Sequence, residues 1–124
     1  MDRVIKNQGT GEIVLARARW CASTWCRARG LMFRSRLDED EGLLFVLGRA
    51  SKVNASIHMF FVFMPLAVVW LDSDLRVVDA KLAKPWRPAY APAQAAQYFI
   101  EARPDLLKHV AVGDILALED PDAS

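Results

Sequence analysis

Apolar residues along this chain come in short runs broken by glycine, proline and acidic turns, the spacing of strands rather than of long helices. Asn7-Gln8-Gly9-Thr10-Gly11 parts the first two runs and predicts a hairpin of Val4 to Lys6 with Glu12 to Ala18. In its second strand Ile13, Leu15 and Arg17 share one face, and Val14, Ala16 and Ala18 the other. Ser23 or Thr24 can cap a short helix over Trp25 to Arg29, and Gly30 stands where a left-handed residue ends it. Leu37 opens an acidic loop that Gly42 closes, and Leu43 to Leu47 is a continuous apolar run of buried-strand length. Residues 48 to 55 read as a loop. Ser56 to Phe63 and Leu66 to Leu71 read as strands parted at Met64-Pro65, because proline cannot donate into a ladder.

Asp72-Ser73-Asp74 turns the chain into Leu75 to Leu82, and this pair is the strongest hairpin signal in the sequence. Lys84-Pro85-Trp86-Arg87-Pro88 is extended and irregular, since each residue before proline is pushed out of the helical region. Gln97 to Ala102 forms a further strand, Pro104 opens a helical turn through Lys108, and Gly113-Asp114 leads into a last strand, Ile115 to Leu118. About eight short strands with one or two short helices predict a mainly β fold, a single-domain antiparallel β-sandwich or barrel. One domain covers residues 1 to 124, and residues 119 to 124 read as a flexible acidic tail.

Composition sharpens this little: 53% hydrophobic and 25% charged residues describe an ordinary globular chain. The net charge of +1 supplies no global field for nucleic acid or an anionic membrane. Charge is nonetheless uneven. Residues 3 to 36 carry eight basic side chains and one acid, while Asp38-Glu39-Asp40-Glu41 and the C-terminal end are acidic. Intramolecular charge balance is the simplest reading, with a phosphate or nucleic-acid surface as the alternative. Cys21 and Cys26 are five apart, lack a second pair to complete a zinc site, and are expected to be reduced, partly buried thiols. No apolar signal segment follows Met1, and the run from Ile57 to Leu71 is too short to span a bilayer. A cytoplasmic location is the expectation.

Six pieces in order carry a resemblance. They are Arg29-Gly30-Leu31-Met32-Phe33-Arg34, Gly42-Leu43-Leu44-Phe45-Val46, His58-Met59-Phe60-Phe61, the stretch Pro65 to Asp72, Lys84-Pro85-Trp86-Arg87, and Val112-Gly113-Asp114. The chain resembles the uncharacterised bacterial and archaeal family catalogued as domain of unknown function 192, over about Ile13 to Leu118. The resemblance implies a compact β-rich domain flanked by a short helix, and no agreed activity. Two departures stand out: many members carry Asn where Phe61 stands, and Asp where Ala67 stands.

The chemistry-bearing side chains are few. His58 sits in an apolar run and could serve as acid, base or hydrogen-bond partner, or simply be a core histidine. Arg34 can bind an anion bidentately, or pair with the nearby Asp38 or Glu39. Met32 and Met59 can line an adaptable apolar pocket or fill the core. Trp86, flanked by prolines, offers a rigid aromatic wall or covers a sheet edge. Cys26 is a nucleophile only if a base lowers its pKa. No phosphate loop, nucleophile elbow or metal-ligand spacing is present. The resulting expectation is a binding module for a small molecule or peptide, built on Arg34, His58, Met32, Met59 and Trp86, with no cofactor, nucleic acid or membrane. An enzyme of hydrolase or transferase type using His58 is the alternative, and a protein-interaction domain using the basic N-terminal third is another.

Overall fold

A computed structural model of the protein describes residues 2–34, 36–87 and 89–121. Seven strands form one sheet: β1 (Asp2–Asn7), β2 (Ile13–Cys21), β3 (Glu41–Ser51), β4 (Leu66–Leu71), β5 (Val77–Ala83), β6 (Ala96–Ala102) and β7 (Leu116–Glu119). A six-residue helix, α1 (Thr24–Arg29), lies between β2 and β3, and a 3-10 turn (Pro104–Lys108) lies between β6 and β7. The strand order is β5-β4-β6-β3-β2-β1-β7. Every pairing is antiparallel except β2 with β3, which run parallel because α1 and the acidic loop carry the chain back between them.

The sheet curls until its two edges meet at one corner. Arg76, at the start of β5, bridges Ile115, just before β7, and Leu116 N–H donates to the Leu75 carbonyl at 2.9 Å. The fold is thus a half-barrel drawn almost closed. Its inner face receives an apolar residue from each strand: Ile5, Leu15, Leu44, Val69, Val77, Ile100 and Leu116. The outer face of β3, β4 and β6 is also buried, under α1 and the loops at 31–37 and 55–62. That double cover explains why all six residues of β4 are buried and why β4 shows no polar alternation. Phe45 and Phe99 stack at 4.4 Å on the outer face, and the buried Trp70 indole donates to the Ala55 carbonyl at 2.7 Å.

The two expected hairpins are present, as are the capped helix and the short turn after Pro104. Three expectations need correction. Residues 48–51 are not loop, because β3 runs on through Ser51, which pairs with Ala96. Ser56 to Phe63 is not a strand: only Ile57 bridges, to Tyr90, and Met59 to Val62 closes a reverse turn. Its apolar residues are there to cover the sheet and to occupy turns, not to alternate across it. Cys21 and Cys26 are not free thiols but a disulfide, joining the end of β2 to α1. Of the expected acidic tail, Glu119 lies in β7 and Asp120 pairs with Arg3 at 3.6 Å, while residues 122–124 lie outside the described residues.

Candidate functional site

The outer face of the sheet holds one charged residue among its buried side chains. On β6, Phe99 and Glu101 point the same way, opposite to Ile100. Glu101 sits between Leu43 of β3 and Val68 of β4 in the pairing registers, and the residue is only 6% exposed. No hydrogen bond or ion pair reaches its carboxyl among the described residues, and burial alone pushes it up to about 8. At neutral pH this group is a carboxylic acid, able to donate one hydrogen bond and accept others.

Above it lies a cavity of about 380 Å³, between the β3–β6 face and the cover formed by α1 and two loops. Phe45, Leu47 and Phe99 form its apolar floor beside Glu101, and Leu31, Ile57 and Val62 add apolar wall. Arg27, Arg29 and His58 supply its cationic and imidazole groups. Local sequence builds this cover. Ser23 Oγ accepts from Cys26 N–H at 3.0 Å and starts α1, and Gly30 N–H donates to the Cys26 carbonyl at 2.8 Å and ends it. A single turn and a half of helix is not stable alone; the Cys21–Cys26 disulfide ties it to the sheet. Gly30 has φ 50°, as its place after the helix predicts, although its ψ of −127° departs from the left-handed helical region. A Cβ on Gly30 would come within 3.7 Å of Glu101 Oε1. Glycine therefore both ends the helix and opens the space over the carboxyl.

The five residues singled out in the sequence occupy four different places. Met32 and His58 line the cavity. His58 is exposed, and its Nδ1 accepts from Phe60 N–H at 3.2 Å, which leaves Nε2–H as the ring's donor. Met59 is fully buried in the core. Arg34 is turned away to a salt bridge with Glu41 at 3.3 Å. Trp86 is on the surface in an aromatic cluster, 5.0 Å from Phe61 and 5.9 Å from Phe63. Cys26 is excluded as a nucleophile by its disulfide. Glu101, Arg27 and Arg29 join the site without having been weighed as ligand groups. The signal for Glu101 was in the sequence: it is the one acid in the run Tyr98-Phe99-Ile100-Glu101-Ala102, in phase with the core residue Phe99.

Much of the basic N-terminal third is neutralised internally. Lys6 pairs with Glu119 at 3.0 Å, and Arg17 pairs with Asp38 and Asp40 at 3.2 and 3.0 Å. Hydrogen bonding from Arg17 holds the Asp40 carboxyl below its ordinary range. A second cavity, of about 370 Å³, lies between β2 and the 3-10 turn. Of its charged groups, Asp40 is engaged by Arg17, Asp105 by Arg103 at 3.4 Å, and His109 by Glu12 at 3.0 Å, while Glu39 lines it without such a pairing among the described residues.

A near-closed half-barrel with a lone buried acid under a short disulfide-tied helix defines a single-domain β fold with one candidate ligand cleft. The chain belongs to the DUF192 family, described as "Uncharacterized ACR, COG1430", which it matches over residues 4–118. A UPF0127 protein of Thermococcus kodakarensis is 46% identical over 93 residues, covering 73% of this chain and 57% of that protein. A UPF0127 protein of Thermococcus gammatolerans is 44% identical, covering 73% and 59%. The chain thus spans less than two thirds of the length of these relatives. The same fold occurs in a crystal structure of a putative transcription regulator from Sinorhizobium meliloti, with TM-score 0.83, 23% identity, and coverage of 94% of this chain and 92% of that one. A protein of unknown function from Novosphingobium aromaticivorans follows, with TM-score 0.77, 21% identity and coverage of 94% and 84%. No helix among the described residues is long and apolar enough to cross a membrane.

Proposed function

We propose that this domain is a small-molecule binding module whose ligand lies in the cleft over Glu101. One observation carries the reading: the carboxyl of the nearly buried Glu101, without a protein partner among the described residues, opens onto a cavity. Burying such a group without a partner costs stability, so its retention points to a ligand that satisfies it. The fitting ligand has an apolar body for Phe45, Leu47 and Phe99, and a hydrogen-bonding head for Glu101. Arg27 and Arg29 suit an anionic substituent at the cleft wall. Arg34, expected from the sequence as the anionic anchor, has Glu41 as its partner, so the two helix arginines take that role in this reading. Screening a fragment library by thermal shift, then measuring hits by calorimetry, tests it. Hits should bind Glu101→Leu, which keeps the bulk and removes the polar head, at least about tenfold more weakly than the native chain, a loss of one hydrogen bond to a buried group. Hits that bind both forms equally would remove Glu101 from the site.

The enzyme reading keeps one supporting observation: His58 and the raised carboxyl of Glu101 line the same cavity. Turnover of a bound ester or amide that disappears in His58→Ala would favour it. For location, the Cys21–Cys26 disulfide supports an oxidising compartment over the cytoplasm expected from the sequence.

A further inference from the structure

We propose that a second surface, formed by three reverse turns, docks on the face of an anionic phospholipid bilayer. The turns are Leu31–Arg34, Met59–Val62 and Lys84–Arg87, each closed by a hydrogen bond from its fourth N–H to its first carbonyl, at 3.1, 3.2 and 3.4 Å. They are laced together: Phe33 N–H donates to the Phe61 carbonyl at 2.7 Å, and Trp86 N–H donates to the Met59 carbonyl at 2.8 Å.

The third position of each turn is an aromatic residue with positive φ: Phe33 at 67°, Phe61 at 59° and Trp86 at 65°. That position ordinarily takes glycine or asparagine, because a side chain there is strained. Turn geometry therefore does not explain the rings, and neither does burial, since they are 60%, 43% and 49% exposed. What they share is each other. Phe33 and Phe61 lie 5.3 Å apart, Phe61 and Trp86 5.0 Å, and the exposed Phe63 packs on Trp86 at 5.9 Å. The four rings make one apolar platform on the order of 400 Å², the size of the largest patch on a typical monomer, which is often functional.

Charge identifies the occupant. Residues 31–37, 58–65 and 84–87 contain no Asp or Glu, while Lys84 and Arg87 flank Trp86 directly. Neither has a carboxylate partner within 4.0 Å among the described residues. Aromatic turn tips fringed by unpaired cations match the interface of an anionic membrane, where rings insert at headgroup level and cations meet phosphates. Stacking of nucleic-acid bases is favoured less, because the ring faces of Phe33 and Phe61 are already turned to each other at an interplanar angle of 30°. The chain's net charge of +1 gives no long-range pull, so the attraction is confined to this patch.

The test uses flotation of the full chain with vesicles of phosphatidylcholine, with and without phosphatidylglycerol. The native chain should float with the anionic vesicles and do so less in high salt. The variant F33G/F61G/W86G keeps every backbone hydrogen bond and places glycine where the turns favour it. It should stay folded, melting within about 5 °C of the native chain, yet bind the anionic vesicles at least about tenfold more weakly. Lys84→Glu with Arg87→Glu should remove the preference for phosphatidylglycerol. Equal flotation of the glycine variant would overturn the proposal, as would no flotation of the native chain. A dimer in light scattering that dissociates in the glycine variant would assign the platform to a second copy instead. Oligonucleotide binding lost in that variant, with no flotation, would assign it to nucleic acid.

Discussion

Replacing Glu101 by glutamine should make the protein more stable, and more so as pH rises. The folded carboxyl is raised to about 8 by burial, against an ordinary value of 4.5. Below pH 4.5 the group is protonated in both folded and unfolded chains and costs nothing electrostatic. Between 4.5 and 8 the unfolded chain has lost the proton and the folded chain still holds it. Stability therefore falls as pH rises through that window, and levels off above 8. At about 1.4 kcal/mol per unit, the loss between pH 4 and 7 is on the order of 3 kcal/mol. Glutamine has nearly the same shape and no proton to lose. The difference between Glu101→Gln and the native chain should accordingly grow by about 3 kcal/mol over that range, equivalent to a gain of roughly 10 °C in Tm. Urea unfolding of both proteins at a series of pH values, followed by tryptophan fluorescence, measures it. Any fixed cost of the amide appears at pH 4 and subtracts out. A difference that stays constant with pH, or that moves in favour of the native chain as pH rises, would refute the reasoning.

Three further outcomes follow from the same geometry. Reducing the disulfide, or changing Cys21 and Cys26 to serine, should cost about 2 kcal/mol for so short a loop, and alkylation of freshly lysed cells should find both thiols blocked. Gly30→Ala should destabilise the chain by about 1 kcal/mol because of its positive φ, and should weaken fragment binding because the new methyl approaches Glu101; a variant with native affinity would remove Gly30 from the cleft. Trp70→Phe should cost about 2–4 kcal/mol in chemical denaturation, since it leaves a cavity and strips the Ala55 carbonyl of its donor.

The fold was legible where local pattern and tertiary role agree. Leu66–Leu71 and Leu75–Leu82 read as a hairpin because turn residues and apolar runs alternate there, and β4 with β5 form that hairpin. Ser23 and Gly30 marked the helix for the same reason. The reading failed where apolar residues serve turns and cover. His58-Met59-Phe60-Phe61 has the composition of a strand, but its left-handed Phe61 is set by contacts with Phe33 and Trp86 from distant segments. The site was half legible for a similar reason. Met32 and His58 lie on segments that fold over the cleft, whereas Arg34 finds Glu41 across a loop whose path no local signal gives. The disulfide was missed because two cysteines five apart are ambiguous until the end of β2 is known to adjoin α1. Glu101 was visible as an acid in an apolar strand. Its meaning needed the cavity above it.

Mapping amide chemical shifts with a bound fragment tests the central claim, that the cleft over Glu101 is the ligand site. Shifts on addition of a hit with an apolar body and a hydrogen-bonding head should cluster on residues 27–32, 57–58, 62, 99 and 101, with the Glu101 carboxyl carbon titrating at a new midpoint. Shifts confined to other surfaces, or a Glu101 carboxyl that titrates near 4.5 with and without the fragment, would contradict it.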